Sequence, residues 1–288
     1  MGALADEVYD AKAYVFSAEL EQPIRRVVDR KALVELPKSG GYKYEGAGPL
    51  RLDGVVSYRG GYAQVAGHSN CHSWGVTTLA TSVIEDLNVL DVITADRVVA
   101  QITTEHSDYG RVPSVSFLGT RFENLRIAGQ KVELEPHLDI LGPKPDDGGS
   151  YFDDGGVFSR IAHQYANIKR MIGLPKWASD QFHWDAAQAQ RQNEMKCSLV
   201  NGVSGSPGKS FGHVIDLPHF GKIFLGELTV KREPMNAGPR LGTPETEVYK
   251  YRFELTMIRA ELDGPGCGRL RVVELDSNGT GGKGSGGH

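Results

Sequence analysis

The sequence predicts a mainly β protein, an antiparallel β-sandwich-like fold with an inserted α-helical hairpin, and three observations predict it. Thr77 to Glu135 is dense in Val, Ile, Leu, Thr and Phe and holds one proline, Pro113, which is the composition of packed strands. Glycine, at 36 of 288 residues, breaks the chain at intervals suited to turns. The apolar period changes from two to a helical one only between Val157 and Lys196, which confines the helices to one insert. A β-solenoid is the alternative fold, because stacked parallel coils also give short apolar strands.

Composition narrows the function classes. Hydrophobic residues are 40% and charged residues 24% of the chain, as in ordinary globular proteins. The net charge of −4 and a pI near 6.1 leave no basic face, so no nucleic-acid partner is expected. No apolar run reaches the roughly 18 residues of a membrane helix, so no membrane span is expected. The N-terminus, MGALADEVYDAKAYVF, shows no basic segment followed by an apolar one, so no secretory signal is legible. The expected location is extracellular or cell surface if a leader has been removed, and cytoplasmic otherwise. Cys71, Cys197 and Cys267 are too few and too far apart for a disulfide framework.

Taken in order, Ala11–Leu20 reads as a strand with Tyr14, Phe16, Ala18 and Leu20 on one face. Ile24–Leu36 is a further strand region, and Ser39–Pro49 reads as a glycine-rich loop. Leu52–Tyr58 and Tyr62–Ala66 flank Arg59-Gly60-Gly61 and read as a hairpin. Three hexads, IEDLNV (84–89), FENLRI (122–127) and LGELTV (225–230), carry apolar residues at positions one, four and six. The first of these falls on the opposite parity from the other two, which predicts a bulge at the pair between. Ala128-Gly129 turns the chain into Lys131–Leu141, where Pro136 predicts an edge strand or a bulge.

Gly142–Gly156 reads as a loop. Val157, Ile161, Tyr165, Ile168 and Ile172 then fall at helical spacing, with Asp153 or Asp154 as cap and Pro175 as stop. A second helix is expected over Ala178–Lys196, starting at Ser179 or Asp180, and Asn201–Ser210 returns to loop. Gly221–Val230, Val248–Leu262 and Gly268–Leu275 close the β region, with a parity change that predicts a bulge near Met257. The expected organisation is a single β-rich domain over 1–276 with its helical insertion at 157–196, and a flexible Gly-rich tail at 277–288.

The blocks ATSVIEDLNVLDVITADRVVAQ, SFLGTRFENLRIAGQKV, FGKIFLGELTV, FELTMIRAEL and LRVVELDSNG occur in an order that resembles the bacterial "choice-of-anchor P" surface proteins. The resemblance covers about half of the chain, mostly 77–135 and 211–276, and "ITAD" and "FENLRIAGQ" are its most distinctive parts. It implies a secreted protein attached by a C-terminal anchor. The chain departs from that pattern in showing no signal or anchor and in carrying the helical insert.

Candidate chemistry is sparse. His68-Ser69-Asn70-Cys71-His72 holds the residue types that zinc or a Cys–His nucleophile pair would use. It matches no zinc spacing, and His106 or His163 would have to supply a further ligand. Asp146-Asp147 and Asp153-Asp154, the first pair followed at once by two glycines and the second likewise, are hard-oxygen candidates for calcium, against the reading of a solvated loop. Gly202–Ser210 ends like a phosphate loop but has Val203 where the first glycine belongs, and no GxSxG, Rossmann or HExxH pattern occurs. Asp96-Arg97 reads as an ion pair on a strand, and Glu227 and Glu254 as exposed strand residues. Trp177, Phe182 and Trp184 read as core packing of the insert, or as a patch for a glycan or small molecule.

No catalytic, cofactor-binding or metal-binding residue is assigned on these grounds, and no cofactor is required, calcium and zinc being the two metals considered. The expected function is that of a non-enzymatic structural or adhesive protein of a bacterial surface or extracellular assembly, self-associating through strand edges or meeting a surface partner. The alternatives are a metal-dependent or Cys/His hydrolase at His68–His72 and a ligand-binding β domain.

Overall fold

The chain was followed in a computed structural model, which describes residues 9–22, 25–52, 54–69, 75–106, 112–145, 149–235, 248–263 and 267–278. The first strands are β1 (Asp10–Leu20), β2 (Arg26–Lys31), β3 (Val34–Glu35), β4 (Gly41–Ala47), β5 (Leu50–Leu52), β6 (Val56–Tyr58) and β7 (Gly60–Ser69). The centre holds β8 (Val76–Val89), β9 (Ile93–His106), β10 (Ser114–Ser116), β11 (Arg121–Glu123), β12 (Arg126–Ile127), β13 (Gln130–Lys131) and β14 (Glu133–Pro136). Three helices follow, α1 (Gly155–Lys169), α2 (Lys176–Gln181) and α3 (Ala186–Gln192). The chain ends with β15 (Glu194–Ser198), β16 (Val200–Ser204), β17 (Lys209–Phe211), β18 (Val214–Leu217), β19 (Gly221–Met235), β20 (Val248–Leu262) and β21 (Gly268–Asn278).

These strands make two large antiparallel sheets, and the mainly β, sandwich-like expectation holds. One sheet runs β17-β18-β19-β20-β21-β1-β2, with β15 beside β19 and β3 beside β1. The other is built on β4-β7-β8-β9, with β10, β11 and β12 continuing beyond β9 and the β5-β6 hairpin on the end of β8. β14 and β16 form a small separate ladder. All of the pairings are antiparallel, which a β-solenoid does not permit.

The sheets face each other across a core that includes Phe16, Ile84, Ile102, Phe253, Leu255 and Val272. They meet at Gly61, where a Cβ would stand 2.9 Å from a Val15 methyl of the facing sheet and 2.4 Å from the carbonyl oxygen of Val83 on the neighbouring strand. Only glycine fits there. The Ser82 hydroxyl donates across the interface to the Tyr14 carbonyl at 2.9 Å, which satisfies a polar group that burial would otherwise penalise.

The parity changes read from the hexads are real, but no extra residue produces them. Leu225 pairs with Ile258 and Glu227 with Thr256, so Gly226 (φ 61°) lies opposite Met257. Met257 in turn lies opposite Val273 (φ 56°), and Val273 opposite Val15. The register is the same on both sides of this line, so the feature is a crease across four strands rather than a bulge. In the other sheet Asp86 (φ 52°) and Asn124 (φ 51°) flank Asp96 in the same way. A left-handed residue switches the face on which the next side chain emerges. Ile84 and Leu87, three apart, therefore both reach the core. In β1 the burial parity changes at Val15, opposite the left-handed Val273, and Tyr14 lies beneath Arg30 at 5.1 Å from the ring centroid rather than on the face of Phe16.

Other expectations are corrected. Leu52–Tyr58 is not one strand, because Gly54 (φ 73°) and the Val55 N–H to Leu52 carbonyl bond turn the chain. β7 therefore pairs with β4 and β8, not with β6. Ser39–Pro49 is not a loop but contains β4. Asn201–Ser210 contains most of β16 and the start of β17. The second helix is two short helices, split by a new cap at Asp185, whose carboxylate accepts from the Gln188 N–H at 3.1 Å. Asn193 (φ 52°) then ends α3, so Met195–Cys197 lie in β15. Ile172, placed on the buried face of the first helix by period alone, lies beyond α1 and is exposed. Pro136 does mark an irregularity, a register shift between Glu135 and Pro136, and Ala128-Gly129 does form a turn with both φ positive. β21 runs to Asn278, past the expected boundary at 276, and residues 279–288 lie outside the described residues.

The helices pack on β15–β18. Gln164 is buried, and its side-chain amide donates to the Ser198 carbonyl (3.0 Å) and accepts from the Ser198 N–H (2.9 Å), as a strand would. Tyr165 donates to the Lys196 carbonyl at 3.0 Å, and Arg160 to the carbonyls of Ile140 and Leu141. The edge of the first sheet at β15 is thus covered.

Candidate functional site

One sheet edge left uncovered among the described residues is β4, within the stretch 39–49 expected to be a loop. β4, GYKYEGA, enters from Gly40 and Gly41 at φ 78° and 103°. A Cβ at Gly40 would lie 2.7 Å from the Tyr9 ring, so this turn demands glycine. From Tyr42 to Glu45 the residues alternate aromatic and charged, the period of a strand. β4 pairs with β7 from Gly41↔Gly67 to Ala47↔Gly61, and among the described residues no strand pairs with its other edge. All its residues but Ala47 are exposed, on both faces.

Tyr42, Tyr44 and Gly46 stand on the outer face with Tyr62 and Gln64. The Tyr44 and Tyr62 rings stack at 5.7 Å and 25°, and the Tyr42 hydroxyl donates to the Gln64 carbonyl oxygen at 3.2 Å. These contacts hold two exposed aromatics in place. Tyr42 and Tyr44 are 60% and 56% exposed, so their apolar area stays available to a partner. Lys43 and Glu45 emerge on the other face, where Ala63 and Val65 of β7 are buried. Neither has an ionic partner among the described residues.

Clefts also open elsewhere on the described surface. One, of about 540 Å³, is lined by Glu19, Glu21, Asp216, Lys222, Glu261, Asp263, Cys267 and Arg269, among others. Its charges are ordered by the sheet: Asp216, Lys222, Glu261, Arg269 and Glu19 are successive cross-strand neighbours on β18, β19, β20, β21 and β1. Charges of alternating sign placed side by side stabilise the sheet. Behind them Arg259 grips Glu227 with two bonds of 2.6 and 2.8 Å and reaches Glu261 as well. The second cleft, of about 330 Å³, is lined by Val115–Leu118, Leu138, Asp139, Leu141 and Gly142.

Most of the residues singled out in the sequence have structural partners. Asp154 caps α1, accepting from the N–H groups of Gly156 (2.6 Å) and Val157 (3.2 Å). Asp153 faces Arg232 at 3.4 Å. Asp96 accepts from Asn124, while Arg97 turns to Glu85 at 4.0 Å, so the expected Asp96–Arg97 pair does not form. Glu227 and Glu254 are half-buried rather than exposed, each held by a cation, Arg259 and Lys231. Trp177 packs edge-on against Phe211, Phe182 against Tyr165 and His213, and Trp184 against Phe158 and Tyr165.

His68 is exposed near the end of β7, cross-strand from Thr77, which is cross-strand from Glu105. His106, one residue on, is on the opposite, buried face, so His68 and His106 do not converge. His163 is on the exposed side of α1, 3.4 Å from Asn167. Asn70, Cys71 and His72, like Asp146 and Asp147, lie outside the described residues. Neither cleft is lined by His68. Among the described residues no group of three or more His, Cys, Asp or Glu side chains could hold a metal ion, and no helix is long and apolar enough to cross a membrane.

Two buried titratable groups are held in their neutral forms. Burial pushes the Cys197 thiol up to about 12, so it carries no thiolate at neutral pH. Burial also lowers His213 to about 4, against the opposing pull of Glu227. Its Nδ1 has no hydrogen-bond partner among the described residues, and the ring packs edge-on against Phe182 at 5.4 Å.

Fold and surface together define a class: an antiparallel β-sandwich with one edge covered by helices and another left open. Residues 8–231 match the family model described as a domain of unknown function (DUF8256), and the chain belongs to that family. The match takes in β4 and the helical layer and ends within β19. No curated protein and no solved structure matches the chain.

Proposed function

We propose that the chain is a non-enzymatic structural module of a bacterial surface or extracellular assembly, joining copies of itself through the open edge at β4. One observation carries this reading: a seven-residue strand, GYKYEGA, paired on one side only and exposed on both faces. Such an edge offers a row of backbone donors and acceptors to a further strand. The resemblance of the 77–135 and 211–276 blocks to anchored surface proteins supports the compartment. Sedimentation equilibrium over a range of protein concentrations tests the reading. It expects a reversible monomer–dimer equilibrium, and a monomer at every concentration would end it.

A further inference from the structure

We propose that the occupant of the β4 edge is the β4 strand of a second copy, antiparallel and centred on Tyr44, with Lys43 of each chain opposite Glu45 of the other. This deepens the assembly reading and rests on it.

The argument is one of register. When a two-fold axis runs perpendicular to the sheet, both inner faces stay on the same side, and outer residues oppose outer residues. Tyr42, Tyr44 and Gly46 are outer; Gly41, Lys43, Glu45 and Ala47 are inner. Three central registers then exist. Centring on Lys43 sets lysine against lysine, and centring on Glu45 sets glutamate against glutamate. Centring on Tyr44 sets Lys43 against Glu45 twice by symmetry, Tyr44 against Tyr44, and Tyr42 against Gly46. It also engages all seven residues of the strand.

Gly46 leaves room for the ring that this register brings over it, since a Cβ there would meet nothing closer than the Tyr44 hydroxyl at 3.8 Å. The remaining registers, which turn one sheet over, set tyrosine against charge. Charges on an edge usually bar association. Here they bar every central register but one, so the same residues that repel wrong partners select the right one.

Charge reversal by mixing tests the register. Lys43→Glu leaves two glutamates on the strand and Glu45→Lys two lysines, and both positions are exposed, so circular dichroism should confirm an unchanged fold. Each variant alone is expected to self-associate at least about tenfold more weakly than the parent chain. Mixed at equal concentration they are expected to recover parent-like affinity as a one-to-one heterodimer, because each glutamate then meets a lysine. A parent chain that dimerises while both variants dimerise equally well would overturn the register and leave the assembly reading standing. A parent chain that stays monomeric would overturn both.

Discussion

Among the described residues β2 and β4 are both strands paired on a single side, and they carry their charges in opposite ways. β2, RVVDRK, carries three cations and one carboxylate and exposes Val27 at 68%. Each antiparallel two-fold self-pairing that engages five of its residues sets like charges opposite, Arg26 to Arg30 or Asp29 to Asp29. β4 balances one lysine against one glutamate two residues apart, with a glycine beneath the tyrosine that would cover it. The charges of β2 oppose self-pairing, whereas those of β4 are compatible with the single register proposed above. On that proposal the order of charges, not their presence, separates a protected edge from a docking edge.

The largest expected effect concerns the fold from which both edges hang. Burial holds the His213 ring neutral, so between pH 6.5 and about 4 the unfolded chain binds a proton that the folded chain refuses. The contribution of His213 to stability should fall with pH across that window by about 3 kcal/mol, read as the difference in urea midpoints between the parent chain and a His213 variant. His213→Gln should flatten that slope. Were self-association a by-product of a loosened fold, it would grow as the pH drops. A native β4 interface predicts that it does not.

Next in size is the conversion of one edge into the other. Glu45→Lys gives β4 the cationic character of β2 and should weaken dimerisation by about tenfold or more, whereas Arg30→Glu should leave dimerisation unchanged. Arg30→Glu also removes the cation above the Tyr14 ring, at a cost of about 0.5–1 kcal/mol in monomer stability. A loss of dimer in the Arg30 variant would move the interface to β2. The smallest expected effect is that of Tyr44→Ala. Losing the stack on Tyr62 should cost about 0.5–1.5 kcal/mol in thermal unfolding of the monomer and weaken, without abolishing, the dimer.

The long central strands were legible because burial on one face writes a period of two that turns cannot hide. Val248–Leu262 is read with the boundaries that the structure shows. A helix cap at Asp153 or Asp154 was legible for a similar reason, a short polar side chain just ahead of an apolar helical period, and Asp154 is the one that caps. The parity slips were seen, but a left-handed Asp86 or Gly226 leaves the same trace in one dimension as an inserted residue. β4 was missed for a physical reason. An edge strand exposed on both faces has no apolar stripe to announce it, and Gly40, Gly41, Gly46 and Gly48 outweighed the alternation of Tyr42, Lys43, Tyr44 and Glu45. The pairing of β7 with β4 rather than β6 follows from the turn at Gly54, which a single glycine in sequence does not distinguish from many others.

Amide hydrogen exchange at low and high protein concentration tests the contrast between the edges most directly, because an edge amide gains protection only when a partner strand accepts its bond. Protection over residues 41–47 should rise with concentration while residues 26–31 stay unchanged. Equal behaviour at the two strands, or a gain confined to 26–31, would contradict the assignment of β4 as the joining edge.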